Sequence, residues 1–142
     1  MPFKKILVPF DGSPGAEKAL RVAAQLAKSP GTQMAVLNVA ETISFPGAPT
    51  EAAFLERGMR ELQELEMRKS AVLLKKLKAK ALLASARGHP VDVIIKYAKK
   101  GKFDVIVMGS RGRSGISQMF LGSVSEGVIH HAHCAVLVVR KD

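Results

Sequence analysis

The sequence holds a single cysteine, Cys134, in 142 residues. A lone thiol makes neither an internal disulfide nor a multi-thiolate metal site, which excludes stapled secreted scaffolds and fits a reducing cytoplasm. Cys134 opens a strand-like run, so packing rather than reactivity is its expected role. Acidic residues are scarce as well, 12 against 22 Lys and Arg, for a formal net charge of +10. That excess comes without a helix-turn-helix, RNA-recognition or zinc-finger pattern. Aromatic residues make up only 5% and do not interleave with the basic ones as single-stranded nucleic acid favours. The expectation is a broadly basic surface with counterion-type attraction to polyanions at low salt, and no specific nucleic-acid recognition. No apolar run approaches the roughly 18 residues that span a bilayer, and Lys4 and Lys5 lead into too few apolar residues for a secretory signal. A cytoplasmic protein without a membrane partner is expected. There is no Gly-x-x-x-x-Gly-Lys-Ser/Thr run, and no Gly-x-Gly-x-x-Gly run after the first strand, which argues against a Walker site and against an NAD or FAD fold. His130, His131 and His133 diverge on a helix and have no Cys or carboxylate pattern beside them, so no protein-held metal is expected.

What the chain does have is alternation. Its length suits one domain, residues 1–142, large enough to bury roughly two-thirds of the surface its unfolded form exposes. Lys4 to Pro9 reads as a first buried strand, with Asp11 just past its carboxyl end. Ser13 and Pro14 then suit a helix start, and Ala16, Ala19, Leu20, Ala23, Ala24 and Ala27 make an apolar stripe that ends at Ser29-Pro30-Gly31. Gln33 to Val39 reads as a second strand, and Glu41 to Pro49 as a loop. A long helix is expected from about Thr50 to Lys78, covering the sheet with Leu55, Met59, Leu62, Leu65, Val72, Leu73 and Leu77, its start weakened or bent by Gly58. Ala79 to Ala86 is a third strand, Val91 to Lys100 a helix, Phe103 to Met108 a fourth strand, and Ala135 to Val139 a fifth. This order predicts an α/β fold, a doubly wound parallel sheet flanked by helices.

The most informative stretch is Gly109 to Ser123, between the apolar run Phe103-Asp-Val-Ile-Val-Met108 and the helix-like run Val124 to Ala132. Gly109 and Gly112 permit close approach and turn successive N–H groups toward one anion. After nine further residues Gly122 and Ser123 open the helix. Free N–H donors, the hydroxyls of Ser123 and Ser125, and the positive end of a helix dipole converge there, with Arg111 and Arg113 at the rim. The pattern reads as a phosphate cradle.

Gly109-x-x-Gly112, nine residues, then Gly122-Ser123 resembles the nucleotide-binding signature of the universal stress protein family, in its ATP-binding branch. Ile6-Leu-Val-Pro-Phe-Asp-Gly-Ser13 resembles that family's opening and Cys134-Ala-Val-Leu-Val-Val139 its closing strand, with Ala135 where the family usually has proline. The resemblance implies strand order 3-2-1-4-5, which brings Asp11 and Gly109 to one crevice at the switch point where open α/β sheets bind ligands. It further implies ATP, with ADP or AMP as alternatives. Adenine would lie near Pro9, Phe10, Val39 and Met108, and Asp11 would accept from the ribose or base side. The phosphates would lie over Gly109, Ser110, Arg111, Gly112, Gly122, Ser123, Val124 and Ser125, with Mg²⁺ bridging their oxygens. Under that order the last strand is an edge, and its apolar backbone invites a cover; a homodimer through Ala135 to Val139 is the economical one.

Rapid phosphoryl transfer needs a positioned nucleophile and charge stabilisation at the leaving group, and the sequence offers no evident base; Glu126 sits inside the last helix. No catalytic residue is assigned. The expectation is therefore a nucleotide-binding regulatory module whose segments Arg113 to Leu121 and Glu41 to Pro49 order on ATP binding. The alternatives are a slow ATPase or nucleotidyl-transferring enzyme, and a chaperone-like or polyanion-binding protein.

Overall fold

The computed structural model describes residues 3–42, 49–110 and 121–140. Strands and helices alternate along it: β1 (Lys5–Pro9), α1 (Pro14–Leu26), β2 (Gln33–Ala40), α2 (Pro49–Leu77), β3 (Leu82–Arg87), α3 (Pro90–Lys100), β4 (Val105–Gly109), α4 (Ser123–His131) and β5 (Ala135–Val139). All pairings are parallel and the order is β3-β2-β1-β4-β5. The sheet is the one the sequence and the resemblance predict.

Successive residues of a strand point to opposite faces, and here both faces are covered. Ile6, Val8, Val36, Val105 and Val107 pack with the alanine and leucine stripe of α1 and with Leu73 and Leu74 of α2. Leu7, Ala35, Leu37, Ile106 and Met108 pack against Ile94 and Ala98 of α3 and Val128 of α4. Near-continuous apolar runs in β1 and β4 follow from this double cover. Helix α1 begins as its sequence predicts: Ser13 Oγ accepts from the Ala16 N–H at 3.1 Å, and Pro14 fills the first turn. Cys134 is half-buried against the α3/α4 side. Burial, and next to it the Asp104 carboxylate, push its thiol above the ordinary range, which keeps it protonated and slow to react at neutral pH. Among the described residues no helix is long and apolar enough to cross a membrane.

Three expectations need correction. The third strand starts at Leu82, not Ala79, because α2 ends in a two-bond cap that consumes the residues after it. Lys78 adopts positive φ (53°), its N–H bonds to Lys75, and the Ala79 N–H reaches back to the Leu74 carbonyl at 3.0 Å. The fourth strand starts at Val105, not Phe103, for the same reason. Lys102 (φ 57°) and Phe103 cap α3 through bonds to Lys99 and Ala98, and the Phe103 ring stacks on Tyr97 instead of joining the sheet.

The third correction concerns α2. The helix runs on through Gly58, and only part of the stripe expected to cover the sheet does so: Leu73 and Leu77 pack on the core. Leu55, Leu62, Leu65 and Val72 are exposed, while Glu66, Ser70, Leu73 and Leu74 are buried. The middle of the helix lies over the carboxyl ends of β2 and β3, where backbone carbonyls need donors. Gln63 Nε2 donates to the carbonyls of Ala86 (3.1 Å) and Asn38 (3.4 Å), so a polar side chain is the one that turns inward.

Candidate functional site

The carboxyl ends of β1, β2 and β4 open on a cavity of about 520 Å³ at the switch point between β1 and β4, a size ordinary for small-molecule sites. Pro9 ends β1 and Phe10 and Asp11 follow it, Val39 is the last residue but one of β2, Met108 and Gly109 end β4, and Gly122 caps α4, which Ser123, Val124 and Ser125 begin; all line this space. Two distant sequence motifs thus meet around one hollow. Ser110 is buried behind the wall. Arg111, Gly112 and Arg113 lie outside the described residues, as do positions 43–48 of the loop after β2.

One carbonyl joins the two halves of the glycine signature. Ser110 C=O accepts the Gly122 N–H at 2.7 Å and the Ser125 hydroxyl at 2.9 Å, while the Ser110 N–H goes to the Val139 carbonyl at 3.0 Å. The residues before and after positions 111–120 are therefore clasped side by side. This clasp revises the expected donor set. The amides of Ser110 and Gly122 and the hydroxyl of Ser125 are engaged inside the protein. The first intrahelical bond of α4 runs from Glu126 N–H to the Gly122 carbonyl, so the N–H groups of Ser123, Val124 and Ser125 stand ahead of it. Those amides, with the helix dipole behind them, have the chemistry that suits an anion.

The floor is apolar: Leu37 and Val39 from β2, Met108 from β4 and Ile94 from α3. Phe10 is buried, and its backbone is spent internally, its N–H on Leu37 (2.9 Å) and its carbonyl on Asn38 Nδ2 (2.9 Å). It supplies surface rather than hydrogen bonds. Asp11 turns the chain out of β1: Oδ1 accepts the Ser13 N–H at 2.9 Å, and Gly12 takes φ of +81°. Only glycine holds that turn at low cost, and a Cβ there would also press on Glu66 Cγ at 3.2 Å.

The remaining wall comes from α2, which the sequence reading left out of the site. Met59, Leu62, Gln63 and Glu66 line the cavity. Glu66 is only 5% exposed, and its Oε1 accepts from Asn38 Nδ2 at 3.1 Å. Asn38 itself is fully buried in β2, both donors used and Oδ1 without a partner. The signal was present but faint. Met59, Gln63, Glu66, Ser70, Leu73 and Leu77 recur at helical spacing and contain no basic residue, whereas the leucine-rich stripe beside them looked more like a core.

An open, doubly wound α/β protein whose switch point holds an apolar shelf facing a helix N-terminus is a distinct class of molecule, built to take a ligand at the carboxyl edge of its sheet. The comparisons narrow the class. The universal stress protein family model matches residues 2–140. A universal stress protein of Thermus aquaticus is 37% identical over 140 residues, covering 97% of this chain and 99% of its own. Universal stress protein MJ0531 of Methanocaldococcus jannaschii is 33% identical, covering 98% and 83% respectively. The chain belongs to the universal stress protein family. Among solved structures, hypothetical protein MJ0577 superposes with a TM-score of 0.79 at 30% identity, over 100% of this chain and 99% of that one. A universal stress protein in complex with cAMP (TM-score 0.75, 23% identity, 100% of each chain) and an Arabidopsis thaliana family member with AMP bound (0.73, 18%, 98% and 92%) share the fold.

Proposed function

We propose that this protein binds ATP, with ADP or AMP as alternatives, and works as a nucleotide-dependent regulatory module in the cytoplasm. The observation that carries the reading is the clasp at Ser110. It holds the open amides of Ser123, Val124 and Ser125 opposite the apolar shelf of Val39 and Met108, across one cavity. Adenine is flat and apolar-faced and suits the shelf; a phosphate chain suits the helix N-terminus. Two solved proteins of this fold hold cAMP and AMP. Asp11 also lines the cavity, and it would accept hydrogen bonds from the ribose or base side. Gly109 lines the crevice, and Arg111 and Gly112 join the phosphate set by their place in the signature. Among the described residues no three acidic, histidine or cysteine side chains converge. A Mg²⁺ ion would thus take its ligands from phosphate oxygens and water, and would supply charge neutralisation along the phosphate chain.

The whole chain is read as one domain, and two copies are expected to pair through β5, whose Leu137 is 37% exposed at the sheet edge. Calorimetry with Mg·ATP tests the binding reading. Ser123 is exposed at the first position of α4, so Ser123→Asp suits the helix dipole and leaves the fold intact while placing a carboxylate where the phosphates belong. We expect wild-type protein to bind and the variant to lose at least about tenfold in affinity, the counterpart of roughly 1.4 kcal/mol. No heat with wild-type protein, or equal affinity in the variant, rejects the assignment.

A further inference from the structure

Helix α2 presents a second apolar stripe that its own domain leaves uncovered. Phe54 is 75% exposed, Val72 56%, Leu65 50%, and Leu62 and Leu55 43% and 42%. These five lie within about a 100° arc of the helix, beside the inward stripe and meeting it at Leu62, which also borders the cavity. Leu55, Gly58, Leu62, Leu65, Lys69 and Val72 succeed one another at alternating steps of three and four residues, the spacing of a coiled-coil seam. From Leu55 to Val72 the seam runs about 26 Å at roughly 1.5 Å per residue.

The charges choose the occupant. The first part of α2 carries Glu51, Glu56, Glu61 and Glu64 against Arg57 and Arg60, a net acidic balance with Glu66 turned inward, whereas every charged residue from Met67 to Lys80 is basic. A parallel twin would set acidic half against acidic half and basic against basic. An antiparallel twin matches them. We infer that a second copy of this chain docks on α2, the two helices antiparallel about a two-fold axis. One register satisfies the seam and its flank together. Leu62 faces Leu65 of the partner subunit, Leu55 faces Val72 of the partner subunit, and the small Gly58 receives the stem of Lys69 of the partner subunit. In the same register Glu61, on the flank, meets Arg68 of the partner subunit, and symmetry repeats each contact.

This face is remote from β5. Helix α2 lies over β2 and β3, at the opposite edge of the sheet, so both two-folds operate at once and yield an assembly larger than a dimer. The inference does not depend on what fills the cavity.

Sedimentation velocity tests it, first in a Leu137→Asp background that removes pairing through β5. That protein is expected to sediment as a dimer at micromolar concentration, and adding Leu65→Asp is expected to give a monomer. Glu61→Arg alone should weaken association at least about tenfold, and Glu61→Arg with Arg68→Glu should restore it, since the swapped pair is again complementary. All these side chains are exposed, and circular dichroism checks that each variant folds. If Leu137→Asp does not fold, the same series in wild-type protein reads the loss of one interface as a smaller particle. A monomeric Leu137→Asp protein, association indifferent to Leu65→Asp, or a double swap no better than the single change overturns the proposal, whichever other partner the stripe then serves.

Discussion

Gly109→Ala is expected to cost the protein about 3 kcal/mol, near the upper end for overpacking in a closed contact, and to lower its melting temperature by roughly 10 °C. A β-carbon at position 109 would stand 2.9 Å from both the carbonyl carbon and the oxygen of Gly15, and 3.3 Å from its Cα. Those atoms are backbone in the first turn of α1 and cannot swing aside as a side chain would. Relief requires α1 to shift off β4. Such a shift also drags the Asp11 to Ser13 turn, so nucleotide affinity should fall together with stability. Gly58→Ala is the instructive contrast: its β-carbon would meet nothing within 4 Å, and in a helix interior the change should stabilise by about 0.5–1 kcal/mol. Urea titrations of the two variants against wild type decide the matter. A Gly109→Ala protein as stable as wild type would mean that the glycine serves only the ligand and not the packing of α1.

The second large effect is expected from Asn38→Asp. Asn38 Nδ2 donates to the Phe10 carbonyl and to Glu66 Oε1, at 2.9 and 3.1 Å, in a fully buried position. Aspartate would exchange that donor for a second carboxylate about 3 Å from the first, and like charges in such a site cannot both persist. Losing that donor costs on the order of 1–3 kcal/mol for each buried acceptor it served, and more where the acceptor is charged. The pH dependence has a definite sign. One carboxyl of the new pair is raised in the folded state above its unfolded value of about 4, so the penalty is full above the raised folded value. It diminishes as pH falls toward the unfolded value and a proton supplies a donor again. The stability gap between variant and wild type should therefore be widest near pH 7 and narrow toward roughly pH 4.5. A gap of constant size across that range would point to lost shape rather than charge.

Much of this molecule was legible in one dimension. Doubly covered strands require apolar runs, so β1, β2 and β4 stood out, and the apolar run of β5 marked it as well although it lies at the edge. The Ser13 cap and the alanine stripe of α1 are local signals with local causes. The glycine signature pointed to the start of α4 because a helix N-terminus carries its chemistry in its own first turn. What was not legible depends on partners distant in sequence. The inward face of α2 joins Gln63, Glu66 and Ser70 to Leu73 and Leu74, while Leu55, Leu62, Leu65 and Val72 stay outside; Gln63 turns in because the ends of β2 and β3 present carbonyls beneath it. Nothing near α2 in the sequence announces those carbonyls. Ser125 reads as a phosphate ligand by type, yet its hydroxyl is committed to Ser110, fifteen residues away. The lysine caps of α2 and α3 likewise displaced two strand starts, since lysine at positive φ runs against local preference and is held by the two backbone bonds of each cap.

By itself the sequence determined the alternation of strands and helices, the family, and the two segments that flank the crevice, because periodicity, caps and glycine spacing are written in neighbouring residues. Only the tertiary structure decided which amides stay open toward a ligand, that Glu66 and Asn38 form the buried wall beside it, and which leucines of α2 face water. Those outcomes depend on whether a given donor, acceptor or apolar surface finds its counterpart across the fold, and that pairing exists only once the chain has closed on itself.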